Sequence, residues 1–181
     1  MMRWLAQGFT LALVLLALPA GAESIVAGLS QNRVSITADF DGSEILVYGA
    51  VKRNAPAPAE PIEVIITVEG PSTPLVIRKK DHVAGIWLNR GAVKITAAPS
   101  FYAVASTKPV ADILLPAEDA KYHITIPQTI DPAAAPSAEQ APYIEALQRI
   151  RQASGSFVLA PDSVLLLRQA LFRTDISLPA N

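Results

Sequence analysis

The chain has 181 residues, with 15 basic and 16 acidic side chains, two histidines and no cysteine. That balance argues against nucleic acid or anionic headgroups as partners, because both select a basic surplus. The lack of cysteine excludes a disulfide scaffold and a lipid-modified cysteine anchor. The length suffices for one domain with a real core.

Residues 1–22 read as an export signal. Arg3 supplies the positive start, Leu11 to Leu18 the apolar run, Pro19 the break, and Ala20-Gly21-Ala22 the small-residue cleavage pattern. The alternative is an uncleaved anchor, for which Trp4 to Ala22 is barely long enough. Arg3 stands alone, which points to the general secretory route. The chain is thus expected outside the cytoplasm, periplasmic or associated with the inner membrane on its periplasmic side. Past the leader no uninterrupted apolar run approaches the length of a spanning helix.

Ile25 to Ser30 reads as a lead-in strand. Residues 34 to 51 read as one β-hairpin: Val34, Ile36, Ala38 and Phe40 alternate with polar residues, Asp41-Gly42 forms the turn, and Ile45 to Val51 returns as a doubly buried strand. The prolines between Asn54 and Pro61 predict a loop. Further strands are expected at Ile62–Glu69, Leu75–Lys80, Gly85–Asn89, Val93–Ala97 and Phe101–Thr107, with a helical turn from Val110 to Leu115 and a strand or connection at Tyr122–Ile126. Asp131 to Ala141, rich in Ala and Pro, predicts a loop or linker. Pro142 opens a helix through Tyr143, Ile144, Leu147 and Ile150, and Gly155 stops it. Asp162 is expected to cap a second short helix through Val164, Leu166, Leu167 and Ala170. Phe172, Thr174, Ile176 and Leu178 then alternate as a strand.

Short strands with turn signals between them predict a mainly β fold, an immunoglobulin-like β-sandwich with one or two short helices in its C-terminal third. The expected organisation is a signal peptide at 1–22, the sandwich at 23–128, an Ala/Pro-rich loop at 129–141, and a helical segment with a returning strand at 142–181. A terminal strand without a partner would leave an aggregation-prone edge, so truncation before a further segment is an expectation here.

Gly85-Ile86-Trp87-Leu88-Asn89 and the run from Pro99 through Phe101-Tyr102-Ala103-Val104-Ala105-Ser106 to Pro109 resemble signatures of an alphaproteobacterial transmembrane-protein family of unknown function. Phe40-Asp41-Gly42 to Gly49, and Leu171-Phe172-Arg173 leading to Leu178-Pro179-Ala180-Asn181, fit the same family. The resemblance covers nearly all of the chain after the leader. It implies a signal peptide, an extracytoplasmic strand-rich region and a membrane helix near the C-terminus, which this sequence does not reach. It also implies gene neighbours among permeases of the sulfite-exporter type and an accessory role in transport. It carries no catalytic residues.

No motif for chemistry stands out. Two histidines without a spacing pattern make a protein-only zinc site improbable. Ser154-Gly155-Ser156 lacks the context of a nucleophile elbow, and no glycine-rich phosphate loop occurs. No cofactor is expected, and the chain is read as not an enzyme. A hydrolase would need His82 or His123 to meet a carboxylate or serine in one cleft. Lys79, Lys80 and His82 form a small basic edge at a strand end, and Tyr102 is the more exposed of the Phe101–Tyr102 pair, so these four are the candidate ligand or partner surface. Trp87, Phe101 and Tyr102 otherwise read as core between sheets. The leading expectation is a non-catalytic envelope protein, an accessory or scaffold for an inner-membrane partner such as a transporter. The alternative is a module binding a small anion or glycan.

Overall fold

The computed structural model describes residues 24–31, 42–53, 61–133 and 138–179. Along them run β1 (Ser24–Leu29), β2 (Ser43–Lys52), β3 (Ile65–Glu69), β4 (Ser72–Val83), β5 (Ile86–Pro99) and β6 (Tyr102–Ser106). Helices α1 (Val110–Ile113) and α2 (Pro116–Tyr122) and a 3-10 turn (Ile126–Thr129) follow, then the short strand β7 (Asp131–Pro132), helix α3 (Ala141–Ala153), and strands β8 (Phe157–Ala160), β9 (Leu165–Leu167) and β10 (Leu171–Leu178).

The strands make three sheets, ordered β1-β2-β10-β9, β3-β6-β8 and β4-β5-β7. The first is held by period-two alternation. In β10, Phe172, Thr174 and Ile176 are buried while the residues between them are exposed, as the sequence pattern requires. Strand β6 behaves differently, since all five of its residues are buried. Its faces serve two cores. Ala103 packs with Val47 of β2 and Ile176 of β10, and Ala105 with Phe172. Tyr102 and Val104 face Val93, Ile95, Ile126, Leu147 and Phe157. A strand covered on both sides reads as a continuous apolar run, and small alanines on one face let the first sheet approach.

The mainly β class is observed. The immunoglobulin-like arrangement is not displayed in the strand order, because β6 and β8 pair in parallel and that sandwich is built of antiparallel sheets. A parallel neighbour needs a long crossover, and here it contains α1, α2 and α3. The stretch expected as an Ala/Pro-rich loop at 129–141 contains the short strand β7, paired to β5; after it β8 joins a sheet with β3 and β6, and β10 lies between β2 and β9.

Other expectations are corrected by these pairings. The strand Ile45–Val51 finds its neighbours in β1 and β10; the proposed first limb from Val34 to Phe40 and Asp41 lie outside the described residues, as do the expected leader and most of the expected proline loop. The strand expected from Ile62 starts at Ile65. The segments Gly85–Asn89 and Val93–Ala97, apart from Gly85 in the turn, are parts of one 14-residue strand. Tyr122–Ile126 is a connection, entered from α2. The segment behind Asp162 is strand β9, paired to β10, and Asp162 itself has φ of 57°. Leu-rich spacing at Val164, Leu166 and Leu167 fits a strand as well as a helix, and pairing with β10 decides for the strand. Strand β10 has a neighbour on each side, so the edge hazard expected of it does not arise. Helix α3 starts with Pro142 in its first turn, and Gly155 follows its end with φ of 71°.

Candidate functional site

Strands β4 and β5 form a long antiparallel hairpin that changes character along its length. At the base, Leu75, Ile77, Val93 and Ile95 pack into the core cluster around Tyr102 and Leu147. Beyond Ala92 toward the turn, the body of the protein no longer covers the strands. Every residue from Ile86 to Ala92 is exposed, as are Arg78, Lys79, Lys80 and His82, with Asp81 and Val83 half-buried. Five residues per strand past the boundary correspond to a projection of roughly 16 Å at strand rise.

Two backbone features build this projection. The turn is Ala84-Gly85, with φ of 50° and 86°, closing the Val83–Ile86 pair. Positive φ at both central residues matches the twist of the strands, which favours a tight two-residue hairpin. The boundary is a register shift between the Arg78–Ala92 and Lys79–Arg90 pairs, leaving Gly91 as the extra residue with φ of 73°. A bulge with glycine in the left-handed region bends the strand. Glycine is needed there for a second reason: a Cβ on Gly91 would collide with the Tyr143 hydroxyl of α3. The helix therefore abuts the hairpin at its bend.

The tip is apolar at its end and basic behind it. Trp87 is 69% exposed, with Ile86 and Leu88 on either side also exposed. His82 and Trp87 are a cross-strand pair whose rings meet edge-on, 5.0 Å between centroids at 63°. Arg78, Lys79, Lys80 and Arg90 form a basic collar, with Asp81 as the one acidic residue among positions 78–90. Lys80 and His82 lie on one face of the hairpin and Lys79 on the other. Tyr102 is not with them. It is 3% exposed, and its hydroxyl donates to the Ile124 carbonyl at 2.9 Å. Burial pushes its phenol above the ordinary tyrosine range, with Glu69 and Asp119 adding to the rise against a hydrogen bond involving Thr67. The reason is the double cover of β6: alternation sends Phe101 and Tyr102 to opposite faces, but neither face is solvent.

Trp87 reverses the expectation of a core tryptophan. A signal for this was present. Val83-Ala84-Gly85-Ile86-Trp87-Leu88 is an unbroken apolar run around a turn, bracketed by charges. Such a run cannot point inward on both strands of a hairpin whose turn lies outside the body.

The other histidine lies in a cleft of about 950 Å³ lined by Glu69, His123, Gln128, Asp131, Glu145 and Gln148, among others. His123 follows α2 in the left-handed conformation, φ 53° and ψ 51°. Asp119 pins that turn by accepting from the Thr125 amide at 2.8 Å and its hydroxyl at 2.6 Å. The Nδ1 atom of His123 lies 3.1 Å from the Gln128 carbonyl; a carbonyl accepts, so Nδ1 is the donor and Nε2 is left to the cleft. No group of three or more His, Cys, Asp or Glu among the described residues could hold a metal ion.

An apolar groove of about 640 Å³ separates β1 and β2 from β3. Glu63 at its rim accepts from Lys108 at 2.5 Å and from the Thr107 hydroxyl at 2.5 Å. Lys108, then Thr107, hold its carboxyl below the usual range, and Glu63 in turn raises Lys108. Neither cavity is lined by Lys79, Lys80, His82 or Trp87.

A model of the family described as "Putative transmembrane protein (Alph_Pro_TM)" matches residues 24–181. No curated protein and no solved structure matches the chain. The match includes both hairpin strands and the doubly buried β6. No helix among the described residues is long and apolar enough to cross a membrane.

Proposed function

The chain belongs to this transmembrane-protein family, and from that premise we propose that it is a non-catalytic accessory or scaffold protein on the extracytoplasmic side of a membrane, working beside a membrane partner such as a transporter. The observation that carries the reading is the β4–β5 hairpin, an apolar tip with a basic collar held away from the body. The body supplies a rigid mount: two sheets pack face to face as a β-sandwich through β6, and α3 braces the hairpin at Gly91. In the cleft, the Nδ1 atom of His123 serves the fold in this reading, since it is committed to the Gln128 carbonyl.

The test is affinity capture with tagged protein from detergent-solubilised envelope membranes. A membrane protein recovered above a tagged control is the expected result. Recovery of none would sink the accessory role.

A second reading has its own support. Trp87, His82 and Lys80 share one face of the hairpin, because cross-strand partners and alternate residues point the same way. An exposed aromatic beside a cation suits a glycan or a small anion. Titrating the Trp87 fluorescence with sulfate, phosphate and soluble oligosaccharides distinguishes it, a saturable change supporting a ligand module.

A further inference from the structure

We infer that the tip of the β4–β5 hairpin lodges in the interfacial layer of an anionic lipid bilayer, with Ile86, Trp87 and Leu88 among the headgroups and acyl boundary and Arg78, Lys79, Lys80 and Arg90 against the lipid phosphates. This deepens the membrane-side role proposed above and rests on it. It also revises the exclusion of anionic headgroups from overall charge: the whole chain carries a net charge of −1, yet positions 78–90 hold Arg78, Lys79, Lys80 and Arg90 against Asp81 alone, a local basic surplus.

The polarity of the hairpin varies along its axis and not across it. Asp81–Leu88 and Val83–Ile86 pairs occupy one face, His82–Trp87 and Lys80–Asn89 the other. Apolar side chains therefore occur on both faces at the tip, and cations on both faces behind it. A groove on a protein would bury one face and strand the other. An apolar slab with a charged surface meets both faces at once, and its depth order, hydrocarbon then phosphate, is the order of the residues from turn to bulge. Tryptophan favours that boundary, where its ring is apolar and its N–H stays wet. The lysine and arginine stems can lie along the apolar layer while their charges reach phosphate. The two-residue turn presents a narrow end, so entry displaces little lipid.

Trp87 is the sole tryptophan after the leader, the other being Trp4. The intrinsic fluorescence of the exported chain, purified after removal of its leader, therefore reports the tip alone. On vesicles of phosphatidylglycerol and phosphatidylethanolamine, its emission is expected to shift to the blue and to be quenched by brominated acyl chains. Phosphatidylcholine vesicles should give little of either, and high salt should reverse the binding. Lys79→Gln and Lys80→Gln should each weaken co-sedimentation by about five-fold, the loss of one cation near an anionic surface. Trp87→Ala should weaken it by about ten-fold or more. Circular dichroism and the urea midpoint of each variant show that it is folded, and the salt series on the unaltered chain needs no variant. Absence of both shift and co-sedimentation on anionic vesicles would overturn the inference. So would capture of a membrane protein in detergent that is lost in Trp87→Ala, because the tip would then sit in protein. Vesicle binding without any captured protein would leave the lipid contact standing and remove the accessory role.

Discussion

At its base the β4–β5 hairpin hands Leu75, Ile77, Val93 and Ile95 to the core, and Ile95 is 2% exposed. One bulge further along the same two strands, apolar side chains of similar size stand in solvent. The difference does not lie in composition. It lies in what faces each half: strand β6 and helix α3 cover the base, whereas at the tip Ile86, Trp87 and Leu88 stay exposed, with His82 edge-on to Trp87. Hydrophobicity alone therefore does not assign a residue to a core; a partner surface must be there to receive it.

Mutations should separate the two halves. Ile95→Ala should have the largest effect, a loss of about 2–5 kcal/mol, because it opens a cavity in a packed site; equilibrium urea denaturation measures it. Gly91→Ala comes next at about 1–3 kcal/mol, since alanine must take positive φ and displace the Tyr143 hydroxyl. It should also alter exchange protection at the bulge more than at the turn, readable by amide hydrogen exchange. Tyr102→Phe should cost about 1 kcal/mol through the unpaired Ile124 carbonyl.

The same tyrosine gives a pH signature with a definite sign. Its folded-state pKa is raised, so the folded form holds its proton where the unfolded chain has begun to release it. Its contribution is complete below the unfolded value of about 10 and is lost as pH rises from there through the folded value. Urea midpoints should fall above that pH in the unaltered protein and fall less steeply in Tyr102→Phe. Smallest of all, Trp87→Ala should change stability by less than about 0.5 kcal/mol, because the side chain leaves solvent for solvent. A loss like that of Ile95→Ala would abolish the distinction between base and tip.

Much of the framework was legible in the sequence because its causes are local. The alternation at Phe172, Thr174 and Ile176, the proline opening α3 and the glycine beyond its end all act within a few residues. Other features needed distant partners. Arg90-Gly91-Ala92 looks like a break between two strands and is a bulge inside one, which only the register with Arg78 and Lys79 reveals. Val164 to Leu167 fits a helix until β10 is placed beside it. The parallel pairing of β6 with β8 spans a long crossover that no local pattern encodes. Helix α2 did have a local signature, with Pro116 at its start, Glu118 and Asp119 in its first turn and Lys121 in its last. It lacks an apolar stripe, since none of its residues is buried. Of the candidate surface, Lys79, Lys80 and His82 were legible as a charged strand end. Tyr102 was misplaced because alternation assigns faces without saying whether a face is covered.

The most direct measurement places a photoreactive amino acid in intact cells at position 87, at the tip, and separately at position 76, where Val76 is also about half exposed (49%) but belongs to the base. Crosslinks to lipid from position 87 and not from position 76 are the predicted result. Equal labelling from the two positions, or none from position 87 while the protein remains folded and exported, would contradict the assignment of the tip as the membrane-facing surface.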